Sequence, residues 1–274
     1  MEELPLILVI NMAREVARWN NISSALRKLD LPFVRIRAID ARCKFRLVRS
    51  RIPRPYFSAV LGRKLSPGES CCALSHIAAL KRVIRSNARS AIILEDDAEF
   101  DHRFKDLVTG ALRDFLCHCD IVKLEGLEYT YTSKMGPILA QSQVAQLIIP
   151  MRPPLGSAAY AVTQDGARRL IATFASISDP LDHMLVYYER HHIPYAETRP
   201  FLVWQGCFPS NVTAEPSALP LTLDTPATVT NLVRRNRVYR GIVRSALAAH
   251  LIARARLRTI FRYGNIGSGD ARGA

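Results

Sequence analysis

The sequence predicts an α/β protein built on a mixed, mainly parallel sheet flanked by helices, with a basic helical tail at its C-terminus. Three observations carry this expectation. Leu4–Ile10 and Ala91–Leu94 are short continuous apolar runs, the pattern of strands buried on both faces. A strand, a helix and a second strand follow one another before Asp40, which is a βαβ unit and requires a parallel pair. Helical and extended patterns then alternate as far as Trp204, with no internal repeat.

The elements follow in order. After the first apolar run, Val16, Trp19, Ile22, Leu26 and Leu29 recur at helical spacing. In Pro32–Ile39, Phe33, Val34, Ile36 and Ile39 are interleaved with Arg35 and Arg37, as in a second strand. Residues 41–65 lack periodicity, contain Pro53 and Pro55, and read as a basic surface insertion. Ser66, Pro67 and Glu69 form a capping box with proline at the first helical position, so a helix should run on to Ser86. The strand Ala91–Leu94 ends in Glu95-Asp96-Asp97. Residues 102–116 look helical and Asp120–Leu124 extended. Gln143–Ile149 and Ser157–Val162 read as strands, Thr163–Phe174 and Leu181–His191 as helices, and Tyr195–Trp204 as extended chain. Proline, threonine and serine enrich residues 205–230, a linker between a domain at 1–204 and a tail at 231–274.

The 274 residues are 49% hydrophobic and 23% charged, which excludes collagen-like and wholly disordered chains. No run of about 18 apolar residues suggests a membrane span. Glu2 and Glu3 before the first apolar run argue against a secretory signal, so the sequons at Asn21 and Asn211 read as chance. Residues 231–274 hold ten arginines and one aspartate, a net +9, and residues 41–65 hold eight basic side chains and no acid. Of the total +14, the rest of the chain therefore carries −3. Two cationic surfaces on a mildly acidic body suit an anionic partner. Arg237, Arg240 and Arg244 share one helical face, as do Arg254, Arg258 and Arg262, so 231–263 reads as an interfacial helix on an anionic leaflet. The competing reading of that segment is a disordered basic tail.

Cys43, Cys71, Cys72, Cys117, Cys119 and Cys207 form no CxxC pair and no zinc-type Cys/His spacing, and read as reduced thiols of a cytosolic protein. The chemistry concentrates in Glu95-Asp96-Asp97. In an open α/β sheet, ligands bind beyond the carboxyl ends of the strands. Three adjacent carboxylates repel one another, and a hard divalent cation relieves that repulsion while leaving positions for phosphate. The alternative is an acidic strand end paired with arginine. Alternation sets Glu95 and Asp97 on one side and Asp96 on the other. Asp179 and Asp182 flank Pro180 at a helix start, where capping accounts for the first; Asp182 lies one turn inside.

These residues together resemble glycosyltransferase family 25, the lipooligosaccharide and lipopolysaccharide β-galactosyltransferase group that also includes collagen galactosyltransferases. Ile7-Leu8-Val9-Ile10-Asn11-Met12 with Arg14 and Arg18 resembles the family's opening, and Phe33 with Ala38-Ile39-Asp40-Ala41 its next motif, Ala41 replacing the usual glycine. Leu65-Ser66-Pro67-Gly68-Glu69 and Cys72-Ala73-Leu74-Ser75-His76 resemble its LxxGExGCxLSH segment. Ile92 to Ala98 is similar to the family's form of the DxD metal motif. Gly156–Tyr160 with Gly166-Ala167, and Pro180-Leu181-Asp182, resemble later motifs, so the likeness covers residues 5–205 in family order.

The resemblance implies a GT-A-like fold, a UDP-sugar donor (most often UDP-galactose), a Mn²⁺ or Mg²⁺ ion, and inversion at the anomeric carbon. Glu95 and Asp97 are the implied metal ligands, with Asp96 as the alternative second ligand or part of the donor site. Asn11, Arg14, Arg18 and Asp40 would hold the nucleotide, and Glu69, Ser75 and His76 line the donor pocket. Three of these have plain structural readings: Arg18 as a solvated helix residue, Glu69 as a cap, and His76 as a satisfied core or surface histidine. Asp182 is the expected base, with Glu125 in reserve. A glycan or glycolipid acceptor is implied, with the protein peripheral on the inner face of a bacterial plasma membrane. The rivals are a basic nucleic-acid-binding protein, which lacks any binding motif here, and a silent family member acting as a scaffold.

Overall fold

In the computed structural model, the described residues are 4–42, 57–58, 63–126, 136–150, 155–174, 177, 179–186 and 188–208. The expected tail, nearly all of the linker and most of the 41–65 insertion lie outside them. Within the insertion, residues 41, 42 and 65 and a small hairpin, Phe57–Ser58 (β3) against Arg63–Lys64 (β4), are described.

The core is an eight-stranded sheet. Its strands are β1 (Leu6–Asn11), β2 (Phe33–Arg37), β5 (Ser90–Glu95), β7 (Ile121–Lys123), β8 (Ile138–Gln141), β9 (Gln146–Ile148), β10 (Ala159–Thr163) and β11 (Tyr195–Arg199), ordered β2-β1-β5-β10-β7-β11-β9-β8. β1 pairs in parallel with β2 and β5, and β7 with β11, whereas β10 and β9 run against their neighbours. The result is the mixed, mainly parallel, Rossmann-like sheet the βαβ unit predicted. Ile7 to Ile10 and Ala91 to Leu94 are all buried, as continuous apolar strands require.

Helices cover the sheet. α1 (Val16–Lys28) carries the chain from β1 to β2, and Ile22 and Leu26 are its fully buried contacts. α2 (Pro67–Arg85) packs on β1, β2 and β5. Its N-terminus is the expected capping box: Glu69 N donates to Ser66 Oγ at 3.1 Å, and Ser66 N donates to Glu69 Oε2 at 2.7 Å. Such a cap stabilises by about 1 kcal/mol. Residues 104–118 are helical, as α3 (Phe104–Asp106), a π turn over Leu107–Ala111, and α4 (Leu112–His118). α5 (Gln164–Thr173) is capped by Thr163 and packs on α2. The span expected as a helix, Leu181–His191, is helical over α6 (Leu181–Val186) and α7 (Tyr188–His191), with residue 187 outside the described residues.

Two departures bear on the site. The chain beyond the acidic triplet turns back as β6 (Ala98–Phe100), which pairs with β12 (Val203–Gln205). Gly206 N then donates to Asp97 O at 2.7 Å, so the segment expected to begin a linker instead straps the end of β5.

Candidate active site

The parallel register places Ile10 beside Glu95, so β1 and β5 end together. Beyond those carboxyl ends lies a cavity of about 410 Å³. β1, α1, the loop after β2, α2, the triplet and the start of α6 all contribute to its wall. Most of the expected residues meet there: Arg14, Arg18, Asp40, Glu69, Ser75, His76, Glu95, Asp96, Asp97 and Asp182 all line it.

The three carboxylates have three different environments. Asp96 is engaged on both oxygens: Asn11 Nδ2 donates to Oδ2 at 2.7 Å and Arg18 Nη1 to Oδ1 at 2.9 Å. Burial nevertheless outweighs these two donors and pushes its pKa up. Asp96 is thus held by protein donors on both oxygens. Glu95 accepts a short hydrogen bond from Ser157 Oγ. Burial alone would raise its pKa, but the nearby His76, Ser157 and Lys123 hold it below the usual carboxylate range. Asp97 is different again. Its Oδ2 lies 3.4 Å from Arg18 Nη1, while its buried Oδ1 has no hydrogen-bond partner. Burial first, then repulsion from Glu95, pushes its pKa up to about 7.

An orphaned buried carboxylate oxygen is costly unless something unprotonated and positive, or a proton, occupies it. On that ground the residues present fit a hard divalent cation, with Asp97 as its foremost ligand and Glu95 beside it.

Arg18 corrects one sequence reading. It is 7% exposed, not a solvated helix residue, and bridges Asp96 and Asp97. Helical periodicity did not show this, because the carboxylates it answers belong to β5, far along the chain. The ring of Phe208 sits 5.3 Å from its guanidinium carbon. Asn11 is likewise buried and lies behind the cavity wall, steadying Asp96; Arg35 donates to its Oδ1 while stacking on Trp19 at 4.4 Å.

At the opposite rim, Arg14 is ion-paired with Asp40, and Arg42 N donates to Asp40 Oδ1 at 2.9 Å. Ser75 is already occupied: it donates to Cys71 O at 2.7 Å and accepts from Ile39 N at 2.9 Å, which ties the loop after β2 to α2. Glu69 is a cap and a cavity residue at once. His76 is fully buried, its Nδ1 3.2 Å from Tyr160 Oη, its ring stacked on that tyrosine. Its Nε2 lies 3.3 Å from Glu95 Oε1 but at an angle that makes no hydrogen bond.

Asp182 meets the triplet across the cavity, half-buried, with Oδ1 accepting from His183 N at 2.9 Å. Glu125, the reserve base, does not line the cavity. It is 1% exposed, accepts from Ala158 N at 2.9 Å and lies 3.5 Å from the fully buried Lys123 Nζ. A buried lysine needs a counter-ion, and Glu125 is that counter-ion. The sequence reading also passed over Cys72 and Ser157 as site residues, although both stand in motifs it used and both line the cavity. Burial, then the charges of Glu95, Asp182 and Asp97, push the Cys72 thiol pKa well up.

In an open α/β sheet, ligands bind beyond the carboxyl ends of the strands, and the arginine-balanced acidic triplet stands at that place in this α/β fold. A family model described as glycosyltransferase family 25 (LPS biosynthesis protein) matches residues 5–185, and the chain belongs to that family. Among curated proteins it is similar to procollagen galactosyltransferase 2 of mouse, 22% identical over 78% of this chain and 36% of the relative. The human protein of the same name is 24% identical over the same shares, 78% and 36%. A rat protein named "Probable inactive glycosyltransferase 25 family member 3" is 26% identical over 68% of this chain and 33% of its own length. The chain thus spans about a third of the length of these relatives.

Proposed function

We propose that this chain is an active, metal-dependent, inverting hexosyltransferase that takes galactose from UDP-galactose and delivers it to a hydroxyl of a lipopolysaccharide-type glycan or glycolipid. One observation carries the reading: Asp97 presents a buried, unpartnered carboxylate oxygen to a cavity of about 410 Å³ in a family 25 chain. The name of the rat relative shows that membership alone does not establish activity.

Asp97 and Glu95 would hold a Mn²⁺ or Mg²⁺ ion. Bound there, the ion acts as a Lewis acid and offsets the negative charge that develops on the leaving diphosphate. The remaining work falls to the protein. Arg18 keeps Asp96 and Asp97 from repelling each other apart in the absence of ligand. Arg14 and Asp40, paired at the rim, face the nucleotide's ribose and base. Asp182 accepts the proton of the acceptor hydroxyl as that oxygen attacks C1 from the face opposite the departing diphosphate. Its backbone partner His183 fixes one carboxylate oxygen and leaves the other for that proton.

The arginine-rich segment 231–263 would bring the enzyme to an anionic leaflet, the inner face of a bacterial plasma membrane, where a lipid-linked acceptor is found. No described helix is long and apolar enough to cross a membrane.

The test is a panel of nucleotide sugars, with turnover or slow hydrolysis followed with Mn²⁺ and with chelator. UDP-galactose consumption that stops with chelator supports the reading. Consumption undiminished by chelation removes the metal from it, and nucleotide-sugar inertness across the panel favours the scaffold.

A further inference from the structure

We infer that Cys72, His76 and Glu95 form a site for a thiophilic divalent ion of the Zn²⁺ class, adjoining the hard-cation position at Asp97 and sharing Glu95 with it. The inference adds to the proposed function and does not depend on transferase activity.

The cysteines form no zinc-type loop along the sequence. The structure supplies another arrangement. Cys72 and His76 are four residues apart on α2, so both side chains lie on one helical face, and β5 brings Glu95 against that face. One ligand atom from each of the three lies within 4.8 Å of the other two. Bonds of 2.0–2.3 Å in a tetrahedral site give ligand–ligand edges of about 3.3–3.8 Å. The 3.3 Å between His76 Nε2 and Glu95 Oε1 already is such an edge. A change of about 1 Å at the Cys72 sulfur completes the triangle.

A second observation points to a ligand. His76 Nε2 is buried on a side chain with no exposure and makes no hydrogen bond, while Nδ1 is held 3.2 Å from Tyr160 Oη. An imidazole fixed through one nitrogen, with the other making no hydrogen bond and set beside a carboxylate oxygen, is the usual posture of a metal-ligating histidine. All three residues line the cavity, so a fourth coordination position opens onto it. A sulfur, nitrogen and oxygen set with one open position suits Zn²⁺ or Co²⁺, not Mg²⁺. On binding, the thiol proton passes to solvent and the thiolate becomes the ligand, with no change of oxidation state. Because Glu95 serves both positions, Zn²⁺ and Mn²⁺ would antagonise each other.

The experiment titrates the full-length, metal-stripped protein with Co²⁺ and follows near-ultraviolet absorption. A sulfur-to-cobalt charge-transfer band should appear in wild type and vanish in Cys72→Ser, and Zn²⁺ should displace it. Zn²⁺ binding should weaken at least tenfold in that variant. Asp97→Asn should keep the band while losing Mn²⁺ binding, so failure here and failure of the proposed function are told apart. If Cys72→Ser does not fold, alkylation mapping on wild type replaces it: Zn²⁺ should shield Cys72 and leave the exposed Cys207 reactive. A band that persists in Cys72→Ser, no band in wild type, or unshielded Cys72 overturns the inference.

Discussion

Asp97→Asn should make the metal-free protein more stable and inactive at the same time. The folded state penalises an ionised Asp97, chiefly through burial and then through Glu95, which together move its pKa from 3.8 to about 7. A group whose folded pKa exceeds its unfolded one costs nothing below the lower value, progressively more between the two, and the full amount above the higher. The window is therefore pH 3.8 to 7, and the sign is destabilising with rising pH. The full cost is about 4 kcal/mol if the displacement belongs to Asp97 alone, and about 2 kcal/mol if half is shared with Glu95. Asparagine keeps the shape and removes the charge. Urea melts of wild type and variant in chelator should differ by about 2–4 kcal/mol at pH 8 in favour of the variant, and converge by pH 4. Added Mn²⁺ should then stabilise wild type alone. Equal stability at pH 8, or a gain that persists unchanged at pH 4, would refute the argument.

Other outcomes follow from the same geometry. Mn²⁺ affinity should fall up to tenfold for each pH unit below about 7 and level off above it, because the ion needs the ionised Asp97; calorimetry across pH checks this. Arg18→Met should cost about 3 kcal/mol in a denaturant melt, since it leaves Asp96 and Asp97 buried without their shared cation. Gly156→Ala should cost at least about 2 kcal/mol. Gly156 has φ +104°, and a methyl there would meet the carboxylate of Glu125, as circular-dichroism melts would register. Asp182→Asn should reduce turnover at least about 100-fold while leaving UDP binding intact, as expected when only a general base is lost.

Much of this architecture was legible because its signals are local. The capping box before α2 is written in Ser66, Pro67 and Glu69, and the helix begins there. The two continuous apolar runs became the interior strands β1 and β5, and the triplet fell at the carboxyl end, where ligands of open α/β sheets bind. What escaped was non-local. An apolar run carries no direction, so the reversal of β10 between β5 and β7 could not be read from Ala159–Thr163. The pairing of Ala98–Phe100 with Val203–Gln205 joins two three-residue segments about a hundred positions apart, too short for periodicity to reveal. Arg18 and Glu125 each carry a charge whose partner is set by the tertiary fold. Docking α1 beside the end of β5 buries the first against the triplet. The chain after β7 turns the second inward beneath Gly156, away from the cavity.

Mn²⁺ titration followed by electron paramagnetic resonance, with and without UDP, bears most directly on the unpartnered oxygen of Asp97. Wild type should show a saturable site that tightens when the nucleotide diphosphate is present, and Asp97→Asn should show neither. Equal Mn²⁺ binding by wild type and Asp97→Asn would contradict the account.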